Sequence, residues 1–114
     1  MRAMNLLGTK VRLQINEPWD AYRVLNCRLI RPITFSQGGD YYLLECQEEP
    51  QWLVITTRHK GDKIEDIFLG LGIDVGVASV KDIKTLDTGH FDMTQVDYIW
   101  IATISLEEPD VAKI

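Results

Sequence analysis

The sequence predicts a small, mainly β (α+β) domain, in which about six antiparallel strands form a barrel-like sheet with one short helix between strands 4 and 5. Three observations predict this fold. Apolar and polar residues alternate in successive short segments, turn-forming residues separate those segments, and a single segment has the apolar spacing of a helix. Small antiparallel sheets commonly close into barrels, because closure removes their unpaired edges.

The length and composition predict one folded domain. Residues 1–114 are assigned to it, with poorly ordered ends over 1–8 and 107–114. Hydrophobic residues make up 46% of the chain and charged residues 25%, which is typical of globular proteins. The sequence has neither an apolar run of membrane-spanning length nor a signal-peptide pattern, so the predicted location is cytoplasmic and no membrane partner is expected.

The first two strands are predicted from their alternation. Thr9 to Ile15 has the cleanest pattern, and the second strand runs from Tyr22 to Arg31. The second pattern breaks at Leu29 and Ile30, where either a β-bulge or cover on both faces is expected. The residues predicted to face the core are Val11, Leu13, Ile15, Leu25, Cys27 and Leu29.

Four further strands complete the predicted sheet. They are Tyr41–Gln47, Trp52–Thr57, Ile73–Val80 and Asp97–Leu106. The strand that begins at Trp52 and the last strand carry apolar residues at successive positions, which predicts cover on both of their faces. Trp19, Trp52 and Trp100 are expected to anchor the core.

The single helix is predicted over about residues 62–70. Asp62 is expected to cap its first turn, and Gly70 or Gly72 to end it. The apolar residues predicted to face the sheet are Ile64, Ile67, Phe68 and Leu71. This element order resembles that of SH3-like and OB-like barrels, although the chain has one strand more than an OB-fold.

The two cysteines, Cys27 and Cys46, lie in separate predicted strands with hydrophobic neighbours. If those strands form a hairpin, the two residues can lie near each other, but their register depends on the turn. Buried, reduced thiols that act as small hydrophobic side chains are the preferred interpretation, and a disulfide is the alternative. Their spacing fits no zinc pattern, and no metal or cofactor is predicted.

A basic segment before the helix is the first candidate site. Arg58, His59 and Lys60 lie next to a predicted helix N-terminus, which attracts anions through its free N–H groups. Asp62 would repel an incoming anion there, so a solvated connector is the preferred interpretation. If the protein does bind an anion or a small ligand, these three residues are the predicted site.

A basic sheet face is the second candidate. Lys10, Arg12, Arg28 and Arg31 form its centre, and Arg23 and Arg58 extend it. Tyr22, Tyr41 and Tyr42 are the aromatic residues available to stack on bases. The net charge of −5 argues against a nucleic-acid binder, so outward basic residues that prevent sheet aggregation are the preferred interpretation.

The charge distribution suggests a third function. Residues 64–114 contain three basic and ten acidic residues, whereas residues 1–63 contain nine and seven. An acidic inhibitor or immunity-type protein that docks a basic partner would have this distribution, as would any soluble acidic domain.

Catalysis is not expected, because His59 and His90 are the only histidines and no catalytic motif is present. A small enzyme that uses one of these histidines is retained as the least favoured hypothesis. The leading hypothesis is therefore a non-enzymatic domain that binds an unidentified protein or small ligand, with the nucleic-acid-binding barrel as its alternative. A homodimer is also possible if the apolar strand residues 99–104 lie at a sheet edge.

Overall fold

A computed structural model describes residues 7–17, 23–34, 40–84 and 96–107 of the chain. The strands are β1 (Lys10–Glu17), β2 (Val24–Thr34), β3 (Asp40–Cys46), β4 (Trp52–Thr57), β5 (Ile73–Val80) and β6 (Val96–Leu106). One 3₁₀ helix, Ile64–Leu69, lies between β4 and β5. The prediction of a mainly β fold with six strands and one short helix is confirmed, and β4 and β5 have the predicted bounds.

The six strands form a closed barrel. Each strand is antiparallel to its neighbour along the chain, and β6 pairs with β1. This up-and-down connectivity differs from the Greek-key connectivity of the OB-fold, so that resemblance does not extend to strand order. Because β6 is hydrogen-bonded to both β5 and β1, it does not lie at a sheet edge. Edge pairing of residues 99–104, the expected route to a homodimer, is therefore ruled out.

The barrel interior is filled by apolar side chains. All six residues predicted to face the core from β1 and β2 are buried there. They pack with Leu44, Leu53, Ile55 and Trp100 in one cluster. A six-stranded barrel is narrow enough for side chains to fill it, since even eight strands leave little free space. Any ligand site must therefore lie outside the barrel wall or at its ends.

A second apolar cluster covers part of the outer wall, and we call it the covered face. Its buried residues are Ile33, Leu43 and Val54, which lie on β2, β3 and β4. Ile30, Tyr41, Trp52, Ala78, Val80, Ile83 and Val96 pack around them. The predicted cover on both faces of β4 is confirmed, whereas the outer side of β6 is less covered than expected, because Ile99 is 56% exposed.

A β-bulge in β2 allows this strand to contribute side chains both to the barrel interior and to the covered face. Leu29 pairs with Leu44 and Arg31 pairs with Leu43, so Ile30 is the additional residue. The bulge reverses the alternation, because a shift of one residue exchanges the two faces of a strand. Leu29 therefore faces the interior and Ile33 the covered face, which confirms the predicted break at Leu29 and Ile30.

The short helix differs from the prediction. It begins at Ile64 rather than Asp62, its N-cap residue is Lys63, and no side chain caps it. It ends at Gly70 as predicted, in a left-handed conformation with φ of 84°. Ile64 and Ile67 are buried against the barrel, three residues apart as a 3₁₀ helix requires. Leu71, which was predicted to face the sheet, is instead 50% exposed.

Several predicted features lie outside the described residues. These are Trp19, Tyr22, His90, the turn over 36–39 and nearly all of the two chain ends that were predicted to be poorly ordered. The other two predicted core anchors differ, because Trp100 packs inside the barrel and Trp52 packs on the covered face. Within the described residues, no helix has the length and apolar character needed to cross a membrane.

Candidate functional site

The outer wall of β1, β2 and β3 contains a polar cleft of about 390 Å³, which we call the wall cleft. Its lining residues are Lys10, Asn26, Cys27, Arg28, Glu45, Cys46, Gln47, Gln51 and Glu107. The volume lies within the range of small-ligand sites. Those sites are mostly apolar, whereas four charged side chains and three amides line this one, so its ligand must be polar.

Strand register places the four charged residues in a row across the wall. Lys10 on β1 is opposite Arg28 on β2, and Arg28 is opposite Glu45 on β3. The backbone N–H of Glu107 donates to the carbonyl of Lys10 at 3.2 Å, which adds Glu107 at the other end. We call Glu107, Lys10, Arg28 and Glu45 the charged row. Its order is one carboxylate, two cations and one carboxylate.

The two central cations repel each other. The N–H of Leu29 donates to the carbonyl of Thr9, so Lys10 and Arg28 form a pair without direct backbone hydrogen bonds. Opposite side chains are closest in such pairs, and like charges there destabilise a sheet. Among the described residues, none of the four members of the charged row forms a salt bridge. The row therefore presents charges of both signs to a ligand.

Local hydrogen bonds hold two members of the charged row, Arg28 and Glu45, in place. Arg28 Nη1 donates to the carbonyl of Gly8 at 3.2 Å, where the chain enters β1. Gln51 Nε2 donates to Glu45 Oε2 at 3.2 Å. Each contact uses only part of the hydrogen-bonding capacity of a charged group, since a guanidinium has five N–H donors and a carboxylate has about four acceptor sites. Arg28 and Glu45 can therefore still bind a ligand.

The predicted basic face is only partly assembled. Lys10, Arg12 and Arg28 lie together, because Arg12 pairs with Asn26, two residues from Arg28 on the same face of β2. Arg31 lies beyond the bulge, opposite Leu43 of the covered face. Arg58 follows β4 on another part of the barrel. Of the predicted basic face, Lys10, Arg12 and Arg28 therefore lie together, and Glu45 lies beside Arg28.

The tyrosines do not provide the expected stacking surface. Tyr41 packs on the covered face, and Tyr42 packs against the interior cluster. Both are half-buried, and neither lines the wall cleft. The described part of the chain therefore offers no exposed tyrosine beside Lys10, Arg12 and Arg28.

Arg58, His59 and Lys60 lie in an exposed turn. The N–H of Asp62 donates to the carbonyl of His59 at 3.1 Å and closes this turn. The expected helix N-terminus is absent, because the short helix begins only at Ile64 and too few residues follow to build a dipole. None of the three residues lines the wall cleft, and none lines the second cleft, which lies beside the short helix.

His59 instead joins a chain of polar contacts across the outer wall. Its Nε2 lies 3.2 Å from Asp74 Oδ2 on β5. Thr103 Oγ1 on β6 donates to the other carboxylate oxygen, Oδ1, at 3.4 Å. Asn16 Nδ2 on β1 donates in turn to Thr103 Oγ1 at 2.9 Å. We call these four residues the polar chain. It joins three strands and leaves the Asp74 carboxylate bound on both oxygens.

A second cleft, of about 340 Å³, lies where the short helix meets the barrel. It is lined by Tyr42, Thr57, Asp62, Lys63, Ile64 and Glu65. Its one basic residue, Lys63, shares the cleft with the acidic residues Asp62 and Glu65, so positive charge does not predominate there. No group of three or more metal-binding side chains occurs among the described residues. The wall cleft is therefore the stronger candidate for ligand binding.

Sequence patterns did not identify the wall cleft. Glu45, Gln47, Gln51 and Glu107 were not predicted as site residues, because strand pairing places the β3–β4 turn beside β2, and barrel closure places the end of β6 beside β1. The outward positions of Lys10 and Arg28 were the one available signal. No family model, curated protein or solved structure matches this chain.

Proposed function

We propose that the protein is a non-enzymatic binding domain whose wall cleft binds a small zwitterionic ligand, of the amino-acid or peptide type. The observation that carries this proposal is the charged row, in which Lys10 and Arg28 face each other between Glu45 and Glu107. A ligand carboxylate between Lys10 and Arg28 would neutralise both cations. A ligand ammonium group would then find an acceptor in Glu45 or Glu107.

The energetics favour a ligand that carries both charges. A carboxylate that is hydrogen-bonded to a guanidinium gains a charge-assisted contact, and such contacts are about twice as strong as neutral ones. A simple anion would gain the same contact but would also approach the carboxylates of Glu45 and Glu107. The three amides Asn26, Gln47 and Gln51 add donors and acceptors that suit a peptide bond.

The proposal of binding without catalysis rests on His59. Asp74 contacts one ring nitrogen of His59, and the histidine lies outside the wall cleft. A general base must lie within hydrogen-bond distance of its substrate, directly or through one water molecule. The wall cleft itself has Lys10, Arg28, Glu45 and Glu107 as its charged groups, and their arrangement favours binding.

NMR titration of the ¹⁵N-labelled protein with glycylglycine tests the proposal. The expected result is a set of saturable shifts at Lys10, Asn26, Arg28 and Gln47. N-acetylglycinamide has a similar size and neither charge, and it should produce no such shifts. If the two compounds perturb the cleft equally, or if neither does at millimolar concentration, the proposed ligand class is wrong.

A pair of matched variants locates the binding site. Arg28→Gln should weaken glycylglycine binding by about tenfold to a hundredfold, because it removes a charged hydrogen bond. Arg58→Gln makes the same change in an exposed arginine that does not line the wall cleft, and it should leave the affinity unchanged. Equal losses in both variants would indicate nonspecific charge attraction.

Nucleic-acid binding is the second candidate, and one observation favours it. Lys10, Arg12 and Arg28 are adjacent on the open wall, so a phosphate backbone could contact all three. A salt titration with single-stranded DNA and RNA tests this function, because phosphate contacts are strongest at low salt. Retention at low salt that is lost in Arg12→Gln would favour this candidate over a zwitterionic ligand, since Arg12 does not line the wall cleft.

A further inference from the structure

Cys27 and Cys46 are directly opposite each other on β2 and β3. The N–H of Gln47 donates to the carbonyl of Asn26, and the N–H of Cys46 donates away from β2, to the carbonyl of Gln51. The two cysteines therefore form a pair without direct backbone hydrogen bonds, in which the Cα atoms lie about 4.5 Å apart. That separation falls within the range of about 4.4–6.8 Å found in disulfides.

The side chains also point towards each other. The two Sγ atoms lie 2.7 Å apart, and both residues are buried in the barrel interior as free thiols. A disulfide bond is about 2.05 Å long, so its formation would bring the sulfur atoms less than 1 Å closer. The strand register already supplies the backbone geometry that the bond requires.

We propose that Cys27 and Cys46 form an oxidation site, at which a peroxide converts the two thiols into a cross-strand disulfide. One of the two sulfur atoms attacks a peroxide oxygen, the O–O bond breaks, and the proton of that thiol leaves with the displaced oxygen as the first water, so that a sulfenic acid forms. The other sulfur then attacks the sulfur of the sulfenic acid, the S–O bond breaks, and the second thiol proton leaves with the departing oxygen as the second water. The two thiols lose two electrons, which reduce one peroxide to two waters.

The environment of Cys27 affects the first step. The hydrogen bond to Cys46 raises the pKa of the Cys27 thiol, and burial and the charge interaction with Cys46 raise it further. The thiolate is the reactive form of cysteine, so the first attack follows the loss of one of the two thiol protons.

The burial of Cys27 and Cys46 limits the size of an oxidant that can reach them. Cys27 is 4% exposed and Cys46 is 5% exposed, so a bulky disulfide such as oxidised glutathione cannot reach either sulfur in the folded barrel. A peroxide is little larger than water. Both cysteines line the wall cleft, and the residues that follow them, Arg28 and Gln47, are exposed, so a peroxide in this cleft lies close to the pair.

Hydrogen peroxide treatment of the folded full-length protein at neutral pH tests the inference. The intact mass should fall by two hydrogens, both thiols should be lost, and peptide mapping should join the Cys27 and Cys46 peptides. The midpoint of thermal unfolding should rise by on the order of 10 °C, because the bond closes a loop of about 20 residues in the unfolded chain. Dithiothreitol should reverse each change.

Single variants test the two steps. Cys27→Ala and Cys46→Ala each leave one cysteine without a partner, so the sulfenic acid of that cysteine should persist and react with dimedone. The sequence contains no third cysteine to form a bridge within the same chain.

Two results would overturn the inference. One is a folded protein that keeps both thiols at a peroxide concentration that oxidises the urea-unfolded chain. The other is oxidation of Cys46 to a sulfinic acid, or linkage between chains, without the internal disulfide. Neither result would affect the proposed ligand site, because the glycylglycine titration uses the reduced protein.

Discussion

The outer wall of the barrel has two regions of opposite character. The covered face buries Ile33, Leu43 and Val54, although their side chains point away from the barrel interior. The open wall, on β1, β6, the first half of β2, the end of β3 and the start of β5, carries the charged row and the polar chain. β2 contributes to both regions, because its bulge changes which residues face outwards.

This difference shows where the stability and the binding capacity of the barrel lie. Buried apolar area stabilises a fold by about 25 cal/mol per Å², so the covered face should act as a second core. The like charges of Lys10 and Arg28, in contrast, repel each other, and this repulsion opposes folding. Groups that oppose folding yet occupy a cleft are typical of functional sites, where stability is exchanged for binding.

The largest predicted effect compares adjacent residues on opposite sides of β3. Leu44 faces the interior and Leu43 lies on the covered face, and both are at most 2% exposed. Leu44→Ala and Leu43→Ala should each lower the free energy of unfolding by about 2–5 kcal/mol, because each leaves a cavity. Urea denaturation measures both changes.

A loss below about 1 kcal/mol for Leu43→Ala alone would show that the covered face is a surface layer and not a second core. The variant Leu69→Ala is a suitable control, because Leu69 is 72% exposed. Its unfolding free energy should change by no more than about 0.5 kcal/mol.

The covered face was predictable in part. Adjacent apolar residues in the strand that begins at Trp52, such as Leu53 and Val54, indicated cover on both sides of that strand. The contribution of Ile33 was not predictable, because it depends on the bulge and on the pairing register. Register is set by tertiary packing and turn geometry, which a single sequence specifies only weakly.

The type of the short helix was not predicted, for a related reason. Ile64 and Ile67 fit both the α-helical and the 3₁₀ pattern, and Phe68 favoured the α-helix. The structure forms six helical residues, which is too short for a stable ladder of α-helical hydrogen bonds. Docking against the barrel decides the conformation, and Asp62 then lies outside the helix.

A second prediction tests how tightly the open wall is packed. A Cβ atom at Gly72 would lie 2.9 Å from Thr103 Cγ2, which is too close for a normal contact. Gly72→Ala should lower the free energy of unfolding by about 1–3 kcal/mol, because overpacking displaces Thr103 from the polar chain. Thermal unfolding followed by circular dichroism measures the loss.

The double variant Gly72→Ala/Thr103→Ser provides the control. Serine keeps the hydroxyl that contacts Asp74 and Asn16 but lacks the methyl group that would clash. At least half of the lost stability should return, relative to Thr103→Ser alone. If none returns, the effect of alanine at Gly72 comes from the backbone and not from this contact.

A third prediction concerns the opposed charges of the charged row. Lys10→Gln should weaken glycylglycine binding but change the free energy of unfolding by less than about 1 kcal/mol, because it removes both the repulsion by Arg28 and the attraction by Glu107. Lys60→Gln, an exposed lysine outside the cleft, is the matched control and should change neither quantity. Unchanged glycylglycine binding in Lys10→Gln would separate the charged row from the ligand site.

The smallest predicted effect tests whether His59 and Asp74 only hold the polar chain together or also form a functional site. His59 and Asp74 are 56% and 46% exposed, so water screens their attraction. His59→Ala should change the free energy of unfolding by no more than about 0.5–1 kcal/mol. Asp74→Ala should cost more than His59→Ala, because it also removes the acceptor of the hydrogen bond from Thr103, which β6 contributes. If His59→Ala abolishes ligand binding while leaving stability unchanged, the binding site lies on this part of the open wall and the wall cleft loses its assignment.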